Sequence, residues 1–260
     1  MSESPKDVLL VEDNEINQLV TNQILLREGY VIEIASTGRQ ALDMLSKQRY
    51  RLILMDVQIP EMDGLQITRV IRDRKSPVLD HEVPVVALTA YNSDEDRAAC
   101  MNAGMDDFIP KPLDLSSFIL TVRSYIGGAA APKRTVRKRK SERQRQSLFD
   151  LDELYMRLNG DKELAAHILR GFLQSLDARV AEIMKAERAS DPSGLARAAH
   201  TLAGAAGNIS AQALRSLLLD LEEAARGGDE AQMAQYAAAL PDAATRVRHV
   251  IEKAAERSSG

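Results

Sequence analysis

The sequence predicts two unlike halves on one 260-residue chain: an α/β half built on a parallel sheet, followed by an all-α helical bundle. Three observations predict this. Up to about residue 127, short apolar or β-rich runs alternate with amphipathic stretches. From about Asp152 no strand signal remains, and an Ala- and Leu-rich helical pattern takes over. Between the halves lies "GGAAAPKRTVRKRKSERQRQ", whose glycines, small residues, Pro132 and like charges suit a linker.

The first half places strands at "DVLLV" (7–11), "VIEIA" (31–35), "LILM" (52–55), "VVALT" (85–89) and "DFIP" (107–110). Helical stretches at 15–27, 37–48, 64–73, 93–102 and 114–126 separate them. Strand–helix alternation argues a parallel sheet covered on both faces. Asn14, Thr37 and Ser93 stand where helix caps belong. In the second half, Gly160-Asp161, Asp191-Pro192, Asn208-Ile209-Ser210 and Gly227-Gly228-Asp229 interrupt the pattern. Four or five helices result, arranged as an antiparallel bundle because the connections are short. No internal repeat relates the halves. The expected domains are 1–127, a linker at 128–147, and 148–260.

Charge follows the same division. Residues 1–127 carry 13 Lys+Arg against 20 Asp+Glu, 128–147 carry 8 against 1, and 148–260 carry 13 against 17. The basic bridge is read as a solvated spacer rather than a nucleic-acid contact. One cysteine, Cys100, excludes an internal disulfide and fits a reducing compartment. No signal peptide pattern opens the chain, and no run of about 18 apolar residues suggests a membrane span. The expectation is a soluble cytoplasmic protein.

"RLILMDVQIPEMDGL" carries the chemical argument. An apolar run ends on Asp56 and passes into a turn. In an open parallel sheet, chemistry sits beyond the carboxyl ends of the strands. The first strand is followed by Glu12 and Asp13, the third ends at Asp56, the fourth at Thr89, and the fifth runs into Lys111 and Pro112. Three crowded carboxylates repel unless a cation joins them. Mg²⁺ is hard, takes oxygen ligands and serves phosphoryl chemistry. A carboxylate also acts as a nucleophile, forming an aspartyl phosphate. The metal, the Lys111 ammonium and the Thr89 hydroxyl would then each meet one phosphoryl oxygen. Taken singly, each acid reads more readily as a cap or a surface charge than as a functional group, Thr89 as a β-branched strand residue, and Phe108 as core. A flavin site of similar topology would need hydroxyls and glycines in the first loop, where "EDNE" repels a phosphate.

"VEDNEIN", "LILMDVQIPEMDG", "ALTA" and "GMDDFIPKP", in that order, closely resemble a response-regulator receiver domain over roughly residues 5–127. The resemblance implies a flavodoxin-like five-stranded sheet in the order 2-1-3-4-5. It implies Mg²⁺ on Glu12, Asp13, Asp56 and the Gln58 carbonyl, and Asp56 as phosphoacceptor. Thr89 and Lys111 would sense the phosphate, Phe108 would be the switch aromatic, and the Lys111–Pro112 bond would be cis. Gln58 and Tyr91 flank the site.

Of four histidines, His81, His167 and His249 have no distinctive setting. His200 lies in "LARAAHTLAGAAGNISAQAL", ahead of Gly204 and Gly207. A glycine inside a helix costs about 1 kcal/mol. Gly204 lies one turn on, on the same face, and is expected to leave the imidazole open to a large partner. On spacing alone, close helix packing is the favoured explanation of the small residues. "AAHTLAGAAGNISA" looks like a histidine phosphotransfer (HPt) domain, whose bundle exposes one phosphorylatable histidine. The resemblance covers roughly residues 148–256. Two positions depart from the family: Ala203 replaces the usual lysine, and Ser210 a later glycine. Arg197, three residues before His200, is the expected substitute cation.

Together the resemblances imply two stations of a phosphorelay. An upstream histidine kinase or hybrid kinase would donate to Asp56, and His200 would exchange with a receiver, either downstream or on the same chain. Both phosphorylated forms are high in energy, so transfer runs either way. No glycine-rich nucleotide loop is present, so the expectation is a phosphotransfer protein without its own ATP-dependent kinase, whose receiver catalyses its phosphorylation from a phosphodonor. The layout resembles the detached C-terminal end of a hybrid kinase, and Met1, shortly before the first strand, suggests an independent chain. The competing reading is a response regulator whose helical half is a non-transferring adaptor or a DNA-binding output gated by Asp56. Net acidity and the lack of a basic recognition helix count against DNA.

Overall fold

The structure, a computed structural model, describes residues 5–59, 61–89, 94–127 and 148–258. The Ser93 cap, Tyr91, Pro60 and the basic linker lie outside the described residues. The chain divides into two compact units, Met1–Thr135 and Val136–Gly260.

In the first unit, β1 (Lys6–Val11), α1 (Glu15–Arg27), β2 (Ile32–Ala35), α2 (Gly38–Leu45), β3 (Tyr50–Asp56), α3 (Gly64–Arg72), β4 (Val85–Thr89), α4 (Asp94–Asn102), β5 (Asp107–Pro110) and α5 (Leu115–Ile126) alternate. Among the described residues the strands form one parallel sheet in the order β2-β1-β3-β4-β5. β3 reads as an unbroken apolar run because it is central and covered on both faces. Leu52, Ile53, Leu54 and Met55 are all fully buried. Ile53 and Met55 join Leu9, Val11, Val85 and Ala87 in a core closed by Ala41, Leu45, Ile67 and Ile71 of α2 and α3.

Caps fix where the helices start. Asn14 Oδ1 accepts from the Ile16 amide at 2.9 Å, Asp63 Oδ1 from Gln66 at 2.7 Å, and Asp114 Oδ1 from Ser117 at 3.0 Å. α2 is shorter than its periodicity predicts, ending at Leu45 with Ser46 as its C-cap. β3 is longer than predicted, because Tyr50 pairs with Lys6 at the edge of the register.

The second unit is helical among its described residues: α6 (Leu151–Arg157), α7 (Lys162–Arg188), α8 (Pro192–Asn208), α9 (Gln212–Gly227) and α10 (Glu230–Ser258). α7 packs on α8, α8 on α9, α9 on α10, and α10 back on α7, which closes a four-helix bundle. α7 supplies Leu164, Ile168, Phe172 and Leu176 at helical spacing, all buried. The predicted breaks sit at the helix ends. Asp161 and Asp191 cap α7 and α8. Ser210 adopts φ +62° and Gly228 φ +71°, turns that stop a right-handed helix. Arg157 of α6 donates to the carbonyls of Gly207, at 2.9 Å, and Asn208, tying α6 to the otherwise open end of α8.

Candidate functional site

The first unit gathers its chemistry at the carboxyl ends of β1, β3, β4 and β5. Glu12 and Asp13 follow β1, Asp56 ends β3, Thr89 ends β4, and Lys111 follows β5. Glu12, Asp13 and Asp56 each offer a carboxylate oxygen, and these atoms lie within 4.8 Å of one another. Lys111 Nζ donates to Glu12 Oε2 at 2.6 Å and to Asp56 Oδ2 at 2.7 Å. Asp56 Oδ1 accepts from the Gln58 amide at 3.1 Å. Glu12 Oε1 accepts from Asn17 Nδ2 at 2.9 Å. Glu12, Asp56, Thr89 and Lys111 are buried. The Lys111 amide donates to the Thr89 carbonyl at 2.6 Å, and the Lys111–Pro112 bond is cis.

Gly64 explains the "DG" that follows β3. A Cβ there would collide with the Asp56 carbonyl oxygen and approach Met55 Cγ and Val57 Cα to 3.0 Å each. The Gly64 amide donates to the Val57 carbonyl at 2.9 Å. The missing side chain lets the start of α3 close onto the end of the strand that carries Asp56.

The electrostatics follow from crowding. Burial and then the Asp56 charge push the Glu12 carboxyl up to about 8, against the lowering pull of Lys111. Burial alone would lower Lys111, but the Asp56 and Glu12 carboxylates outweigh it and hold the ammonium above the ordinary lysine value. The cavity therefore keeps its cation and strains the Glu12 carboxylate. Three hard oxygen donors around one point fit Mg²⁺.

Phe108 is half-buried against the core on the α2–α3 side, and the Arg97 guanidinium lies over its ring, 5.1 Å from the centroid. This cation–π pair was not visible in the sequence, because Arg97 and Phe108 sit on separate elements.

The second unit places His200 on α8, facing α9. His200 Nδ1 lies 3.0 Å from Glu222 Oε2, and Arg226 donates to Glu222 Oε1 at 2.7 Å. The imidazole is less open than the expectation from Gly204: the His200 side chain keeps 11% of its surface, with Nδ1 turned to Glu222 of α9. Ala203 is buried and Arg197 is exposed. Glu222 was missed in the sequence, where "LEEAAR" reads as solvated charge. The available signal was periodicity: Glu222 adjoins buried Leu221 and follows buried Leu218 by one turn, so it sits on the packed side of α9. His81 Nδ1 donates to the Ile71 carbonyl at 2.8 Å, while His167 and His249 are exposed.

Comparison with known proteins finds matches for both units. Residues 8–123 match the family model described as the response regulator receiver domain, and residues 167–250 match the one described as the Hpt domain. The chain is similar to the aerobic respiration control sensor protein ArcB of Escherichia coli (strain K12): 32% identical over 213 residues, which are 81% of this chain and 27% of ArcB. It therefore spans about a quarter of that relative's length. It is also similar to the polar-differentiation response regulator DivK of Brucella anthropi, 38% identical over 125 residues, covering 48% of this chain and 99% of DivK. A solved structure of the receiver domain of sensor histidine kinase PA1611 from Pseudomonas aeruginosa PAO1, with a magnesium ion coordinated in its active site cleft, is 37% identical. Its TM-score is 0.43, covering 48% of this chain and 99% of that one.

Proposed function

We propose that this chain, which belongs to the response-regulator receiver family and carries an Hpt domain in the two-component phosphorelay class, passes a phosphoryl group through Asp56 and His200. The observation that carries this reading is the Lys111 ammonium bonded to both Glu12 and Asp56 inside a cluster of three carboxylates. Such a pocket stores a cation where an incoming phosphoryl group needs one.

Asp56 is the phosphoacceptor. Its carboxylate oxygen attacks the phosphorus of an upstream phosphohistidine, the P–N bond breaks, and the electron pair returns to the donor imidazole. Lys111 turns from the carboxylates to a phosphoryl oxygen, and the Thr89 hydroxyl meets another. Glu12, Asp13, Asp56 and the Gln58 carbonyl would hold Mg²⁺, which neutralises the remaining charge of the anionic reactants. Phe108, under Arg97, follows Thr89 as the switch aromatic.

On the bundle, Glu222 holds Nδ1 and so assigns the proton to that nitrogen. Nε2 is then the nucleophile, and the carboxylate stabilises the positive charge that the ring gains on phosphorylation. The domain limits 1–127, 128–147 and 148–260, a phosphohistidine donor from a histidine kinase or hybrid kinase, and a receiver as exchange partner belong to this proposal. So does a phosphotransfer role without a kinase reaction from ATP in these two units. No helix among the described residues is long and apolar enough to cross a membrane.

Ala203 favours a second reading, in which the helical half is a non-transferring adaptor gated by Asp56. One experiment separates the two. The chain is incubated with a phosphorylated hybrid kinase and Mg²⁺, and the label is mapped in Asp56→Ala and His200→Ala variants. Acid-labile label on His200 ends the adaptor reading. Label that survives both substitutions contradicts the relay.

A further inference from the structure

The carboxylate that faces His200 is itself held from a second side. Glu222 Oε2 lies 3.0 Å from His200 Nδ1, and Glu222 Oε1 accepts from Arg226 Nη2 at 2.7 Å. Arg226 lies one turn beyond Glu222 on α9, and long side chains on a helix lean back toward its N-terminus, so the guanidinium falls over residue 222. A Glu–Arg pair at this spacing is ordinarily a solvated surface contact worth little. This one is not solvated at its acidic end. The Glu222 side chain keeps 6% of its surface, while that of Arg226 keeps 51%. One buried carboxylate therefore bridges the imidazole and a half-exposed guanidinium.

What the imidazole can do depends on the charge of that carboxylate. An ionised carboxylate only accepts hydrogen bonds, so Nδ1 must carry the proton and Nε2 keeps its lone pair. A protonated carboxyl donates to Nδ1 instead, which puts the ring proton on Nε2. In transfer from an aspartyl phosphate, the Nε2 lone pair forms the N–P bond, the P–O bond breaks, and its electron pair leaves on the aspartyl carboxylate. The ring keeps its Nδ1 proton and gains a positive charge beside Glu222. With the proton on Nε2 that lone pair is gone, and no bond to phosphorus forms until the proton leaves. Before the transfer the nucleophilic ring is neutral, so it cannot supply the cation that a buried carboxylate needs to stay ionised. Arg226 is in contact to supply it. Arg215 of the same helix also feels the Glu222 charge, but it stands two turns away, about 10 Å along the axis.

We propose that Arg226 is a positioning residue for the phosphorylation of His200: it holds Glu222 ionised and turned so that Oε2 fixes the proton on Nδ1 and leaves Nε2 as the nucleophile. This rests on the reading of His200 as a phosphoacceptor. It places the supporting cation on α9, one side chain removed from the ring, rather than at Arg197 of α8.

The test uses the full chain with Asp56→Ala, so that His200 is the acceptor, and phosphoramidate as the donor. Two quantities are read: the tautomer of the neutral His200 ring, from its ¹⁵N shifts, and the rate of acid-labile phosphohistidine formation, from ³¹P NMR. Arg226→Ala should move the ring from Nδ1–H toward Nε2–H and slow labelling about three- to tenfold, the worth of one hydrogen bond. Arg226→Lys, which keeps a cation one turn from Glu222, should restore most of both. In a Glu222→Gln background, whose neutral amide needs no counter-charge, Arg226→Ala should have no further effect on the rate. Circular dichroism follows the bundle, and if the alanine variant loses helicity, Arg226→Gln decides. An unchanged tautomer or an unchanged rate overturns the assignment of Arg226. So does a further loss in the Glu222→Gln background, which would mean that Arg226 meets the phosphoryl group itself. No phosphohistidine in any variant, whatever the tautomer, overturns the reading of His200 itself, and the inference with it.

Discussion

Replacing Lys111 by alanine has consequences of opposite sign that can be read from the geometry. Its ammonium makes bonds of 2.6 and 2.7 Å to two buried carboxylates. Removing one partner of a buried ion pair costs about 3–5 kcal/mol, because it leaves charge without compensation. Here part of that cost is relieved by protonation. Glu12 is already pushed up to about 8 with the lysine present, and it lies higher without it. The loss at pH 7 should therefore be smaller, about 2–3 kcal/mol, and should grow as pH rises. The same ammonium competes with a divalent cation for Glu12 and Asp56, so Lys111→Ala should bind Mg²⁺ more tightly while accepting phosphate from a donor more slowly. Urea unfolding of the intact chain, followed through amides of β1 and β3 with and without Mg²⁺, measures the first two effects. A variant as stable as the parent in the absence of metal, with unchanged Mg²⁺ affinity, would refute the idea that Lys111 balances this pocket.

Other outcomes follow from single contacts. Without divalent metal, the folded-state Glu12 carboxyl is raised, so its contribution to stability is present below the ordinary carboxylate range and lost as pH rises through about 8. Mg²⁺ needs the ionised form, so affinity should strengthen over that window, with proton release visible by calorimetry in buffers of different ionisation enthalpy. Gly64→Ala should destabilise the receiver unit by about 1–3 kcal/mol through the clash with the Asp56 carbonyl, measurable as a lower thermal midpoint. Glu222→Gln should keep the bond to His200 Nδ1 but lose the charge that stabilises the phosphorylated ring. His200 labelling should then slow by about tenfold or more, while Asp56 labelling stays unchanged.

The sheet and its acidic edge were legible because chemistry interrupts a regular pattern. A buried apolar run that ends on Asp56, and an apolar run that precedes Glu12 and Asp13, cannot be explained by packing. Lys111 was legible for the same reason, as a cation next to a proline at the end of a strand. What the sequence concealed lies on second elements. Glu222 stands 22 residues from His200, in a run of acids that periodicity alone must separate into buried and solvated members. The degree to which α9 covers the imidazole was equally hidden, since glycine spacing describes α8 and says nothing of its neighbour. Arg97 over Phe108 is a contact of two side chains with no local pattern at all.

The most direct measurement is the position and chemistry of the label after exposure to a phosphorylated hybrid kinase. Mg²⁺-dependent, hydroxylamine-sensitive phosphate on Asp56 and acid-labile phosphate on His200, each abolished by alanine at its own position, is the expected result. Label that forms equally well without divalent metal, or that settles on other residues while Asp56 and His200 stay unmodified, would contradict it.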